Sequence, residues 1–400
     1  MKRVGIIGGG QLAWMMGDAA KKLGVELLVQ TPSKYDPAVS IAQETIFAQV
    51  DDARATEILA TKCDVITFEN EFVNLDALSL LAQKGVCFRP RLDALSPLLD
   101  KYHQRCYLRD LGLPVPQFFA LDELEYFKSK MRYLGFPVVL KSRRHGYDGQ
   151  GTFIIPDLVT LQEKANESIT NKTSSQSLFL LEEFVPFERE LAVIAARSVD
   201  GEIVTYPVVE TQQEQQICRR VIAPARIRPN QVAEIKAIAH TLLDNLQVVG
   251  VFGIELFLTA DGKVLVNEIA PRTHNSGHFS LEACETSQFE QHLRAVCGLP
   301  LGNPSLQCAG AVMVNLLGYE NSQSDYQSKR QQLAEIPQAH VHWYGKTESR
   351  PGRKLGHVTV LLDHQHQDKL SAIANGVGRA IANGISAAIA HTIESIWYPS

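Results

Sequence analysis

Four hundred residues exceed what one ordinary core holds and imply two or three domains. With 45% hydrophobic and 21% charged residues the chain reads as a globular protein, and a formal net charge of −5 excludes a general electrostatic drive toward nucleic acid or acidic membranes. No apolar run is long enough to span a bilayer, and cysteines 63, 87, 106, 218, 284, 297 and 308 form no Cys-x-x-Cys pair. That argues against a disulfide framework or zinc site and predicts a reducing, cytoplasmic setting. The early entry into an apolar strand predicts no secretory leader.

In chain order, the strand Val4 to Ile7 meets the turn Gly8-Gly9-Gly10-Gln11, which leads into a helix. Leu12, Met15, Met16, Ala19 and Leu23 recur at helical spacing, and Gly24 supplies the stop. With a second strand, Val25 to Gln30, this is the start of a doubly wound sheet whose helix N-terminus is ready to receive an anion. Gly8-x-Gly10-x-x-Ala13 fits a dinucleotide fingerprint, but such a site wants an acid at the end of the second strand, where Gln30 stands. A nicotinamide-dependent oxidoreductase therefore rests on the glycine turn alone, and a phosphate or sugar-phosphate on that turn is the better reading. The strand Asp64 to Phe68 ends in Thr67-Phe68-Glu69-Asn70-Glu71. Functional residues collect beyond such strand ends, although Asn70 or Glu71 could equally introduce the helix near Asn74. Val86 to Phe88 reads as a strand, and the first α/β domain is placed at residues 1–95.

Residues 91–112 follow a helical pattern that contains Asp100, Lys101 and Arg105, and 122–134 a second one. Lys141 closes the apolar strand that begins at Pro137, a position that points at an anion or reaches solvent. Gly146, Gly149 and Gly151 then give a mobile loop whose amides can approach phosphate oxygens, with Arg143 and Arg144 upstream and Tyr147 and Asp148 inside it. An ordinary hairpin turn at Asp148-Gly149 is the plain alternative. A strand from Leu178 ends in Glu182-Glu183-Phe184-Val185, and a hairpin about Asp200-Gly201 follows. A helix from about Asn230 to Leu246 buries Val232, Ile235, Ala239, Leu242 and Leu246.

The next stretch, Val251 to His278, carries the most chemistry. Two strands meet at a turn on Asp261-Gly262, and a loop of even length pairs Glu255 with Glu268. An odd loop or a bulge would break that pairing. Facing carboxylates repel, unless a hard cation with oxygen ligands lies between them; the alternative is two solvated glutamates on an exposed face. Arg272, His274 and His278 follow within seven positions, a density of polar groups that cores do not use. Beyond Pro304 come strands Ala309 to Leu316, His340 to Gly345 and His357 to Leu362, and a helix at 368–393. Lys346, Arg350, Arg353 and Lys354 cluster before the last strand, as a phosphate clamp or as a solvated turn.

These features, in this order, resemble the ATP-grasp superfamily and, within it, the N5-carboxyaminoimidazole ribonucleotide synthase family of purine biosynthesis. The resemblance is carried by GGGQL at 8–12, TFENE at 67–71, GYDGQG at 146–151, NEIAPRTHNSGH at 267–278 and GKTESRPGRKLGHV at 345–358. It implies an α/β and α+β architecture: a doubly wound pre-ATP-grasp domain at 1–95, an ATP-grasp domain at 96–303 with a lid at about 115–185, and a small, mainly β domain at 304–400. The implied activity is that of an ATP-dependent carbon–nitrogen ligase: bicarbonate is phosphorylated to carboxyphosphate, and its carboxyl group passes to the exocyclic amine of 5-aminoimidazole ribonucleotide. A formate-using glycinamide ribonucleotide enzyme is the nearest alternative, and a nucleotide sensor without turnover a more distant one.

The resemblance also implies roles. Lys101 and Lys141 hold ATP phosphates under a lid made of Gly146, Tyr147, Asp148, Gly149, Gln150, Gly151 and Thr152. Glu182, Glu183, Phe184 and Val185 hold the adenine edge, Glu190 the ribose, and Gln213 and Asn267 also contact ATP. Glu255 and Glu268 bind magnesium, for which manganese can substitute. Tyr147, Asp148 and His274 face the carboxyl transfer, with Asp148 as proton acceptor. Gln11, Leu12, Glu69 or Glu71, and Arg272 line the acceptor's pocket, while Lys346 and Arg353 grip its 5′-phosphate. A homodimer is implied as well. The chain departs from the family pattern at Ala13-Trp14 (commonly Gly-Arg), His145 (glycine), Gln150 (basic) and Lys101 (often arginine).

Overall fold

The computed structural model describes residues 1–120, 135–144, 151–170, 179–362 and 378–399. Strands β1 (Lys2–Ile7), β2 (Val25–Thr31), β3 (Glu44–Phe47) and β4 (Val65–Phe68) form a parallel sheet in the order β3-β2-β1-β4. A parallel sheet is covered on both faces, and β1, β2 and β4 are accordingly buried along most of their length. Two short helices, Gln11–Trp14 and Gly17–Leu23, stand where the spacing predicted one. Gly24 ends the second at φ 65, a left-handed conformation that suits glycine. Trp14, one of the departures from the family pattern, packs edge-on against Tyr344 at 6.2 Å and joins the first sheet's helix to the C-terminal segment.

A second sheet is antiparallel: β5 (Phe118–Ala120), β6 (Val138–Ser142), β7 (Thr152–Ile155) and β8 (Phe179–Glu183) run in the order β5-β8-β6-β7. The helix expected at 122–134 lies outside the described residues. So do His145 and the loop residues Gly146, Tyr147, Asp148, Gly149 and Gln150.

The third sheet has nine strands: β9 (Phe187–Arg197), β10 (Ile203–Thr205), β11 (Val209–Glu214), β12 (Ile217–Ala223), β13 (Gly250–Thr259), β14 (Val264–Ala270), β15 (Gly310–Leu317), β16 (Ala339–Trp343) and β17 (Lys354–Leu362). Its path is β14-β13-β9-β11-β12-β15-β17-β16, with β10 on β9. The segment beyond Pro304 thus extends the sheet that carries the carboxylate hairpin, through antiparallel pairing of β15 with β12. The helix Pro229–Leu246 lays Ile235, Ile238, Ala239, Leu242 and Leu246 on this sheet at helical spacing. Each of these isoleucine and leucine side chains contributes roughly 1.5–3 kcal/mol by leaving water.

The C-terminal helix Gly378–Trp397 runs past the expected end at 393. Trp397 is the reason: it is fully buried, its Nε1 donates to the Leu317 carbonyl at 2.8 Å, and its ring lies 5.1 Å from that of Tyr326. Trp397→Ala should lower stability by about 3–5 kcal/mol in urea unfolding. Trp397→Phe, which mainly loses the N–H bond, should fall by on the order of 1 kcal/mol.

Candidate active site

The hairpin reaches the predicted pairing by another route. Its loop, Ala260 to Gly262, is odd in length: Thr259 N–H donates to the Lys263 carbonyl at 3.0 Å, and Leu258, Phe257 and Leu256 pair with Val264, Leu265 and Val266. Continued unchanged, that register would set Glu255 opposite Asn267. A bulge absorbs Asn267 and restores Glu255 opposite Glu268. The two departures from a regular hairpin cancel. In a regular strand Asn267 and Glu268 would point to opposite faces, but the bulge lets both line one cleft.

That cleft, of about 460 Å³, lies where the second, antiparallel sheet, the large sheet and the glycine turn converge. It brings together Lys101, Lys141, Thr152, Glu182 to Val185, Glu190, Gln213, Glu255, Asn267 and Glu268 from the ATP-directed set. From the acceptor-directed set it takes Gln11, Leu12, Glu69, Glu71, Arg272 and His274. Lys101 Nζ lies 2.7 Å from Glu268 Oε2, and Lys141 Nζ donates to Asn267 Oδ1 at 3.0 Å. Asn267 Nδ2 reaches back to Glu255 Oε2 at 3.5 Å. Gly151, at φ 81, brings its carbonyl within 2.7 Å of the Ser142 N–H, where a side chain would strike Ser142.

Charge in the cleft is graded by burial and by neighbours. Burial, then repulsion from Glu268, pushes the Glu255 carboxyl up to about 7. Burial would raise Glu268 too, but the Lys101 ammonium holds it below the usual carboxylate range. Burial likewise lifts Glu190 to about 7 against the pull of Lys141. Glu182 is the opposite case: despite burial, Arg105 and Lys141 draw it down to about 2. Its carboxylate is committed to those two cations, with Lys141 at 2.6 Å. What the segment can offer a base edge is therefore the main chain of Glu183 to Val185 and the apolar faces of Phe184 and Val185. Lys141 itself is lowered by burial, with Arg105 and Lys101 adding to the effect and Glu182 opposing it.

The glycine turn corrects an expectation. Where a phosphate is expected, its amides hold the protein's own carboxyl group. Glu69 is hydrogen-bonded by the Gly10 and Leu12 N–H groups, and a Cβ on Gly8 or Gly10 would lie 2.6 or 2.3 Å from its carboxylate oxygens. Burial raises Glu69 to about 7, opposed first by Arg272. Glu71 instead pairs with Arg272 at 2.9 Å. Gln30, the residue that weakened the dinucleotide reading, is fully buried and bonded to the Gln49 and Asp52 carbonyls and to Thr56.

Neither Lys346 nor Arg353 is among the residues that line the cleft, and Lys346 alone contacts one of them. Lys346 Nζ donates to Gln11 Oε1 at 2.7 Å and Arg353 Nη1 to the Glu348 carbonyl at 2.7 Å, while Lys354 lines the cleft wall. His274 Nε2 lies 3.4 Å from Glu255 Oε1, which ties the acceptor side to the carboxylate pair. Sequence reasoning missed Arg105 as the partner of Glu182, although its place one helical turn after Lys101 was a signal. It also missed the β11–β12 hairpin that brings Gln213, Gln216 and Cys218 to the cleft.

The donor set suits a hard divalent cation. Two carboxylates on one sheet face and the Asn267 amide oxygen are all oxygen, and Glu255 is destabilised as an anion without a counter-charge. Among the described residues no group of three or more His, Cys, Asp or Glu side chains is placed to hold a metal alone. The site would therefore rely on ligand oxygens to complete a shell, as magnesium does on phosphates.

Comparison with known proteins agrees with this geometry along the whole chain. The ribonucleotide synthetase preATP-grasp domain family matches residues 1–97, the ATP-grasp domain family 106–289, and the phosphoribosylaminoimidazole carboxylase C-terminal domain family 311–369. The N5-carboxyaminoimidazole ribonucleotide synthase of Synechococcus elongatus is 56% identical over 362 residues, 90% of either chain. That of Synechocystis sp. is 49% identical over 404 residues, 99% of this chain and 98% of the other. An N5-carboxyaminoimidazole ribonucleotide synthetase solved with ADP superposes with a TM-score of 0.84 at 35% identity, covering 99% of this chain and 97% of that one. The Aspergillus clavatus enzyme, solved with ADP and 5-aminoimidazole ribonucleotide, gives 0.81 at 31% identity, covering 94% and 99%. The chain belongs to the N5-carboxyaminoimidazole ribonucleotide synthase family of the ATP-grasp superfamily.

Proposed function

We propose that this protein uses ATP and bicarbonate to carboxylate the exocyclic amine of 5-aminoimidazole ribonucleotide in purine synthesis. The observation that carries the reading is the carboxylate pair Glu255–Glu268, set with Lys101, Lys141 and Asn267 in a cleft that continues to Arg272, His274 and the glycine turn. One end suits a nucleoside triphosphate and the other a second, smaller nucleotide. A bicarbonate oxygen attacks the γ-phosphorus, ADP leaves, and carboxyphosphate forms. The amine nitrogen then attacks the carboxyl carbon, phosphate leaves, and the nitrogen loses a proton.

The side chains support each step. Lys101 and Lys141 place positive charge against phosphoryl oxygens, where charge develops during transfer. Glu255, Glu268 and Asn267 Oδ1 would hold magnesium, or manganese in its place. When bound, the ion neutralises phosphate charge. Glu183 to Val185 border the base, Glu190 the ribose, and Gln213 also contacts ATP; all of them line the cleft. Gly146, Tyr147, Asp148, Gly149 and Gln150 belong to a lid that keeps water from carboxyphosphate, and Asp148 accepts the amine proton. Arg272, His274, Gln11, Leu12, Glu69 and Glu71 border the acceptor, with Lys346 and Arg353 near its phosphate. A cytoplasmic homodimer completes the proposal; no described helix is long and apolar enough to cross a membrane.

Purified protein given ATP, labelled bicarbonate and 5-aminoimidazole ribonucleotide should release ADP and fix label in the imidazole product. Label fixed from formate onto glycinamide ribonucleotide instead, or ADP release with no labelled product, would overturn the reading.

Glu190 yields a pH prediction. Its folded-state value near 7 lies above the ordinary 4.5, so the folded state holds a proton that the unfolded chain has released. Stability then falls as pH rises from about 4.5 through about 7. Without nucleotide, Glu190→Gln should match the parent protein in acid and melt higher than it by pH 8, while its KM for ATP rises. A gap in melting temperature that does not widen with pH would contradict the assignment.

A further inference from the structure

Gln288 opens the helix Gln288–Cys297, is fully buried and stands outside the cleft lining. Its side chain crosses to the segment after β14 and grips the main chain of His274 at two points. His274 N–H donates to Gln288 Oε1 at 2.9 Å, and Gln288 Nε2 donates to the His274 carbonyl at 2.8 Å. The same nitrogen lies 3.2 Å from His278 Nδ1. Because the His274 N–H can only donate and its carbonyl only accept, the orientation of the Gln288 amide is fixed.

The surroundings are fitted to this grip. A Cβ on Gly277 would lie 2.6 Å from Gln288 Oε1, so the close approach depends on glycine there. The Gln288 backbone N–H donates to Ser280 Oγ at 2.9 Å, which in turn donates to the Gly277 carbonyl at 2.6 Å. On the cleft side, a Cβ on Gly253 would lie 2.5 Å from His274 Cβ, so the histidine rests directly on β13. Its ring is held between Ser276 Oγ, 2.8 Å from Nδ1, and Glu255 Oε1, 3.4 Å from Nε2. Backbone displacement at His274 would carry the imidazole away from the carboxylate pair.

We propose that Gln288 is a positioning residue: it fixes the backbone of His274 so that the imidazole faces the carboxyl transfer. The inference rests on the proposed function and adds a residue outside the cleft to it. Gln288 touches no substrate and acts through His274. It should therefore matter for passing the carboxyl group to the amine and not for binding ATP.

The test measures ADP released and labelled carboxyl fixed by the full-length protein with ATP, labelled bicarbonate and 5-aminoimidazole ribonucleotide. Gln288→Met removes both bonds at similar volume. Gln288→Glu, assayed in alkaline buffer so that the buried carboxyl is ionised, keeps the acceptor for the His274 N–H but sets a carboxylate oxygen against its carbonyl. Each should lower the carboxylation kcat by roughly ten- to a hundredfold, the range for residues that orient a working side chain. KM for ATP should stay within about twofold, and ADP released per carboxylated product should rise. On a His274→Ala background the same changes should cost less than about a further twofold. Unchanged coupling, an equal loss in both backgrounds, or a loss confined to ATP binding would each overturn the proposal. If Gln288→Met does not fold, Gln288→Glu decides it through the same cycle. A parent protein that fixes no label overturns the function and this inference together, whereas a parent that fixes label beside fully coupled Gln288 variants overturns only the inference.

Discussion

Two glutamates face each other across one rung of a β-ladder, and much of the site is arranged around their mutual repulsion. Glu255 is pushed up by burial and by Glu268; Glu268 is kept anionic by Lys101. Left alone, such a pair disfavours the strand pairing that creates it. The hairpin keeps it through an odd loop and a compensating bulge, which also turns Asn267 into the cleft between Lys141 and Glu255. A bound cation and a polyanionic ligand would complete this arrangement of charge, and the lysines flanking the pair are already placed for the second.

The rest of the cleft follows the same pattern of charges held in register by neighbouring elements. Arg105 and Lys141 keep Glu182 ionised and tie β6 and β8 to the helix Lys101–Asp110. Glu69 fills the amides of the glycine turn, and Arg272 bonds Glu71 while also opposing the raised value of Glu69. Parallel pairing of β1 with β4 makes this possible, since it brings the end of one strand beside the turn that follows the other. The glycines there make room for a side chain, and the resemblance to a dinucleotide turn has a different physical origin.

Local patterns carried much of this into the sequence. The apolar strands, the left-handed Gly24 and the helix Pro229–Leu246 were legible because spacing and turn chemistry are local properties. The Glu255–Glu268 pairing was legible by counting, although the count assumed a regular loop. What escaped was set by tertiary contact. The β11–β12 hairpin turns on Gln215 and Gln216, both at positive φ, with none of the glycine or asparagine that marks such turns. Strand β3 is four residues long and only half-buried, too short for a period to show. Glu69 could be read as a residue at a strand end, but not as the occupant of a turn that lies distant in sequence. Gln288 carried no signal at all, since a glutamine at the start of a helix is ordinary until the backbone it grips is seen.

The central claim is that Glu255 and Glu268 act as one cation site for a nucleotide. It is tested most directly by calorimetric titration of magnesium into the protein with ADP present, comparing the parent with Glu255→Gln, Glu268→Gln and the double variant. Each single change should weaken magnesium binding by at least about tenfold, as loss of a carboxylate ligand to a hard cation would. The double variant should add less than the sum of the two, because the residues share one ion. Magnesium bound as tightly by the double variant as by the parent would contradict the account.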